Sequence, residues 1–60
     1  MAWLAILEDG LELIFQERPI KDGIFWKPVD KNYTVIILPD GTIEKIIGRK
    51  LTWEDDPVEI

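Results

Sequence analysis

The sequence predicts a small all-β protein, built as an antiparallel meander or a small barrel of five to six short strands. Residues typical of strands are abundant, with ten isoleucines and only two alanines among 60 residues. Asp-Gly pairs at residues 9–10, 22–23 and 40–41 mark tight turns. Short apolar segments separate these turns at the spacing of strands in small β proteins.

The first predicted strand covers residues 2–7 and is apolar on both alternating sets of side chains. Such a strand is usually central in a sheet, or has its second face covered by another chain. If the odd-numbered residues face the core, Leu4 and Ile6 face away, and no predicted helix covers them. We therefore expect a homodimer or higher oligomer that forms through residues 2–7.

The second predicted strand covers residues 11–18, between Gly10 and Pro19. Leu11, Ile14 and Phe15 also fit the spacing of a helix. Eight residues are few for a helix and ordinary for a strand, so the strand is preferred and the helix stays open as an alternative.

Residues 19–23 form a predicted turn, and residues 24–29 form a third strand. Pro28 cannot donate to a ladder, so this is expected to be an edge strand or a short one. Phe25 and Trp26 are neighbours, so they point to opposite faces, and one of them should be exposed or covered by something other than the core of this chain.

Residues 33–38 form the clearest strand in the chain, and the turn Pro39-Asp40-Gly41 follows it. Residues 42–47 are expected to return antiparallel as the other half of a hairpin. The spacing of the isoleucines also permits a short helix within residues 43–50, which would make the fold α+β. By size and strand count, an SH3-like barrel is the nearest general architecture for the all-β alternative.

The predicted organisation is one β domain over residues 1–53, ending in a short alternating segment at 51–53, and an acidic C-terminal tail over residues 54–60. The body holds eight acidic and seven basic residues, whereas the tail adds four acids and no base, for a net charge of −5. No basic cluster is present to neutralise phosphates, so we expect no direct binding of nucleic acid.

The residue types exclude the commonest catalytic sites. The chain has no serine, cysteine or histidine, so Ser-His and Cys-His pairs and zinc sites of Cys and His cannot form. We predict that the protein is not an enzyme and has no cofactor and no metal site. Weak calcium binding by the carboxylates of the tail is conceivable, but the spacing of an EF-hand loop is missing.

The expected function is that of a small protein-interaction or regulatory module that acts by binding. One alternative is an acidic decoy or inhibitor whose tail binds a basic surface on a nucleic-acid-binding protein, and another is a structural subunit of a homo-oligomer. No apolar segment is long enough for a membrane span, and we expect a cytoplasmic protein that does not contact membranes. The predicted partner-binding residues are Leu4, Ile6, Phe25, Trp26, Glu54, Asp55 and Asp56.

Overall fold

The computed structural model describes all 60 residues and contains six short strands and one short helix. The strands are β1 (Trp3–Ile6), β2 (Glu12–Phe15), β3 (Ile20–Asp22), β4 (Phe25–Lys27), β5 (Val35–Leu38) and β6 (Val58–Glu59), and the helix is α1 (Thr42–Ile47). The prediction of a small, antiparallel, all-β-like fold is confirmed. The strands form two open sheets and no closed barrel.

Four strands form the main sheet in the order β5-β2-β1-β6, and all neighbours are antiparallel. β1 is therefore a central strand, as its apolar residues on both faces predict. β3 and β4 form a separate hairpin. The two-residue loop of this hairpin consists of Gly23, with φ 66°, and Ile24, whose φ is not positive. A positive φ at the first loop residue alone is the pattern of a type II′ turn.

Helix α1 and the β3–β4 hairpin cover opposite faces of the main sheet. On the helix side, Leu4 packs with Ile43 and Leu51. On the hairpin side, Ala5 packs with buried β2 side chains and with Trp26. Because successive side chains of a strand point to opposite faces, β1 contributes to a core on each side, and the protein has three layers.

The predicted hairpin between residues 33–38 and 42–47 is wrong, because residues 42–47 are helical. The alternative of a short helix within residues 43–50 describes this segment better. β5 is antiparallel to β2 instead. Ile43 and Ile47 lie four residues apart on one helix face, and both pack against the sheet.

Residues 11–18 contain strand β2, which confirms the preferred strand and excludes the helix alternative. Three other segments differ from the predictions. Residues 19–23, predicted as a turn, contain β3, because a two-residue loop lets the residues before it pair. Residues 51–53 form no strand, and Leu51 packs into the core beside α1. The segment 54–60 is not a free tail, because its residues 58–59 are strand β6, paired with β1.

Candidate interaction surface

The outer edge of the main sheet is formed by β5, in which every residue is apolar. Val35, Ile36 and Ile37 leave 37%, 54% and 64% of their surface exposed. No strand pairs with the outer side of β5. We call residues 35–38 with their outward-facing backbone the β5 edge.

The hydrogen-bonding pattern shows which backbone groups of the β5 edge are unpaired. In an antiparallel ladder, hydrogen-bonded residue pairs alternate with non-bonded pairs. The Gln16 N–H donates to the Thr34 carbonyl at 3.3 Å, so even-numbered positions of β5 bond to β2. The N–H and C=O groups of Val35 and Ile37 therefore point away from the sheet.

The opposite edge of the sheet is protected in ways that the β5 edge is not. β6 has only two residues, follows Pro57 and carries the charge of Glu59. Short length, proline and charge are the usual means by which proteins prevent edge strands from pairing with other chains. β5 is twice as long and has neither proline nor charge within it. The two edges thus differ in their capacity to accept a further strand.

The position of β5 depends on a buried carboxylate in the neighbouring strand. Glu12 of β2 lies opposite Leu38, at the end of β5. Its two carboxylate oxygens accept hydrogen bonds from the N–H groups of Gly41, at 2.6 Å, and Ile43, at 2.7 Å. Gly41 has φ 86°, which glycine adopts without a steric penalty. One side chain therefore joins β2 to the turn after β5 and to the start of α1.

The apolar residues predicted to bind a partner lie in two different environments. Leu4 is fully buried and Ile6 is half-buried, both in the core on the helix side. The expectation that these residues face a second chain is corrected, because α1 covers them. Phe25 is 57% exposed while Trp26 packs on the sheet, which confirms that one of these neighbours points outward.

The acidic residues predicted to bind a partner lie in the turn before β6. Glu54 and Asp56 are exposed, whereas Asp55 is half-buried and its carboxylate accepts the Thr52 N–H at 2.9 Å. This backbone hydrogen bond lowers the pKa of Asp55, an effect that partial desolvation opposes and the charge of Arg49 supports. Asp55 thus stabilises a local turn, and two of the three carboxylates remain free at the surface.

A separate cleft of about 480 Å³ lies at the start of α1, where Glu12, Asp40, Glu44 and Lys50 contribute to its lining. Both oxygens of the Glu12 carboxylate are already hydrogen-bonded to backbone N–H groups. No three acidic side chains in the structure are grouped closely enough to hold a metal ion. We therefore place no candidate site in this cleft.

All three tryptophans are half-buried, and two of them contact the same lysine. The Nζ atom of Lys21 lies 4.5 Å from the ring centroid of Trp53 and 5.3 Å from that of Trp26. It also donates to the Trp53 carbonyl at 3.3 Å. These contacts connect the hairpin to the C-terminal segment, so the aromatic rings serve packing within the chain.

Comparison with protein families, curated proteins and solved structures finds nothing that matches this chain. Sequence reasoning recognised residues 33–38 as a strand and did not identify it as a candidate surface. The signal was present in the sequence, because this apolar strand contains no charged residue to prevent pairing.

The helix of this chain has six residues, and no helix has the length and hydrophobicity that crossing a membrane requires.

Proposed function

We propose that this protein is a small interaction module that acts by binding, and that its β5 edge accepts a strand from a partner chain. The observation that supports this proposal is the exposed, uncharged and unpaired edge at residues 35–38, opposite an edge that is protected. A strand added there gains main-chain hydrogen bonds from Val35 and Ile37 and apolar contacts on both faces of the sheet. Binding of this kind requires no catalytic residue.

The acidic-decoy alternative has less support. It depends on the carboxylates of residues 54–56, and Asp55 already uses its carboxylate in a hydrogen bond to the Thr52 backbone. The segment after this turn is held in the sheet by β6. Two exposed carboxylates remain for a basic surface, and such an attraction is strongly screened by salt.

Affinity capture with matched variants tests the proposal. Ile37→Lys places a charge on the β5 edge, whereas Ile46→Lys places the same charge on helix α1, which is not part of that edge. Ile37 and Ile46 are 64% and 48% exposed, so either lysine can reach solvent and the apolar surface lost is similar. We expect the wild-type chain and Ile46→Lys to capture the same specific protein from lysate of the source cell, and Ile37→Lys to lose it.

Two results would contradict the proposal: capture of the partner by Ile37→Lys as well, or no specific capture by the wild-type chain, its own copies included. A partner that binds Ile37→Lys but is lost from the double variant Glu54→Gln, Asp56→Asn would support the acidic alternative. Circular dichroism of each variant confirms that its strands and helix are retained.

A further inference from the structure

We infer that the strand accepted by the β5 edge comes from a second copy of this chain. Two copies then form a symmetric dimer in which the main sheets join through antiparallel β5 strands into one sheet of eight strands. This inference rests on the proposed function and adds the identity of the partner and the register of the pairing.

The backbone groups that are free at the β5 edge select the register. Val35 and Ile37 are the strand residues whose N–H and C=O groups point outward. A two-fold axis at Ile36 places Val35 of one copy opposite Ile37 of the other, so that each pair can exchange two hydrogen bonds. All four N–H and all four C=O groups of these two pairs are then used.

The residues at the ends of β5 disfavour the neighbouring registers. A shift toward the C-terminus would bring Pro39 into a bonded position, and proline has no N–H to donate. A shift toward the N-terminus would bring in Tyr33, whose N–H already donates to the Asp30 carbonyl at 2.9 Å. The register centred on Ile36 is therefore the one in which every bonded group is free in both copies.

The side chains agree with this register. Ile36 faces Ile36 of the other copy on the helix side, and Val35 faces Ile37 on the hairpin side. Pairs of β-branched residues that face each other across strands favour sheet formation. All three side chains are at least one third exposed in the single chain, so the pairing covers apolar surface that the chain itself leaves uncovered.

Charges at the two ends of β5 also favour the antiparallel arrangement. Lys31 precedes the strand, Asp40 follows it, and neither forms an ion pair within the chain. Antiparallel pairing brings the Lys31 end of one copy beside the Asp40 end of the other. Parallel pairing would bring like charges together at each end.

The size of the surface sets the expected strength of the dimer. A standard interface takes about 800 Å² from each partner, roughly a fifth of the 4110 Å² surface of this chain. One four-residue strand covers less than this, so we expect a dimer that dissociates on dilution. The two β5 strands therefore separate readily, and the fraction of dimer depends on protein concentration.

Single-cysteine crosslinking tests the register directly, because the natural chain has no cysteine. In the proposed dimer, the Cα atoms of two facing residues at position 36 are about 4.5 Å apart, as in other non-bonded antiparallel pairs. This distance lies within the range of a disulfide. At position 37 the two copies are diagonal neighbours, about 7–8 Å apart, which is too far. The two variants, Ile36→Cys and Ile37→Cys, lie on the same edge, but only the first brings its two cysteines face to face in the proposed register.

We expect Ile36→Cys to form a disulfide dimer in a glutathione buffer at least about tenfold faster than Ile37→Cys, because facing thiols in a preformed dimer have a millimolar effective concentration. Ile46→Cys, on α1, serves as the control for collisions between free chains. Sedimentation of the wild-type chain should show a reversible dimer, which Ile37→Lys abolishes and Ile46→Lys retains.

A wild-type chain that remains monomeric at high micromolar concentration overturns the inference. So do equal crosslinking rates at positions 36 and 37, or a dimer that persists in Ile37→Lys. If the wild-type chain is a monomer but captures another protein in a manner that Ile37→Lys abolishes, only the identity of the partner is wrong. If Ile37→Lys changes neither self-association nor capture, the proposed function fails as well.

Discussion

The Glu12 carboxylate provides the sharpest test of how this fold is held together. It is 7% exposed, and its two oxygens accept the N–H groups of Gly41 and Ile43. Glu12→Gln keeps the shape of the side chain but replaces one acceptor oxygen with an NH₂ group. One of the two hydrogen bonds is then lost, the other loses its charge assistance, and a donor faces a donor.

The expected loss follows from the strength of these bonds. Hydrogen bonds to charged groups contribute about 1.5–3 kcal/mol each, so losing one and weakening the other should cost about 2–4 kcal/mol. A 60-residue protein has a total stability of about 3–9 kcal/mol by the usual value per residue. At about 8 °C per kcal/mol for a chain of this size, the melting temperature should therefore fall by roughly 15–30 °C.

Urea titration and thermal unfolding, both followed by tryptophan fluorescence, measure this loss. Glu8→Gln is the matched control, because Glu8 is exposed and its side chain makes no hydrogen bond or ion pair. Surface changes of this kind usually alter stability by less than about 0.5 kcal/mol. If Glu12→Gln is no less stable than Glu8→Gln, the contacts of Glu12 with the turn and α1 do not hold the fold.

Three further predictions concern the core, the turn before β6 and the lysine between two tryptophans. Leu4→Ala empties a fully buried position and should lower the free energy of unfolding by about 2–5 kcal/mol in urea; a loss below about 1 kcal/mol would contradict the packing of α1 over β1. Asp55 has a lowered pKa, chiefly through the backbone hydrogen bond from Thr52, so its stabilising effect is present above the ordinary Asp value of 3.8 and is lost as the pH falls through the lower folded value. Asp55→Asn should therefore weaken the dependence of stability on pH in this acidic range, and an unchanged profile would refute the assignment. Lys21→Met should lower stability by about 1 kcal/mol and alter tryptophan emission, because Lys21 contacts two indole rings; an unchanged spectrum would show that these contacts do not persist in solution.

Much of the fold could be predicted because local patterns were consistent. The Asp-Gly pair at 9–10 connects the adjacent antiparallel strands β1 and β2, as predicted. The pair at 22–23 also lies at a hairpin turn, but the first strand of that hairpin is β3, within the segment predicted as a turn. The central position of β1 followed from its apolar residues on both faces. In these places, the turn residues and the alternation of side chains indicate the same structure.

Residues 42–47 could not be assigned in the same way, because the spacing of their isoleucines fits both a strand and a helix. The deciding interaction is long-range. Glu12 lies 31 residues before Ile43 and binds the N–H groups at the start of the helix. A pattern within a short window cannot contain that contact.

The error at residues 42–47 explains the error at the candidate site. With no helix predicted, Leu4 and Ile6 had no cover, and a second chain was invoked for them. In the structure, α1 covers Leu4 and Ile6. The apolar surface that stays uncovered lies instead at the β5 edge, where Val35 and Ile37 are exposed. The prediction that one of Phe25 and Trp26 points outward was correct, because it depends only on the alternation of neighbours in a strand; which of the two is exposed was not predicted.

Amide hydrogen exchange along β5, measured by NMR in dilute and in concentrated samples, tests whether the β5 edge is free in the single chain and paired in the dimer. In dilute samples we expect fast exchange at Val35 and Ile37, whose N–H groups point outward, and slow exchange at Ile36 and Leu38, which bond to β2. In concentrated samples, exchange at Val35 and Ile37 should slow as the two copies pair. Fast exchange at these two amides at every concentration, or protection that does not change on dilution, would contradict pairing through the β5 edge.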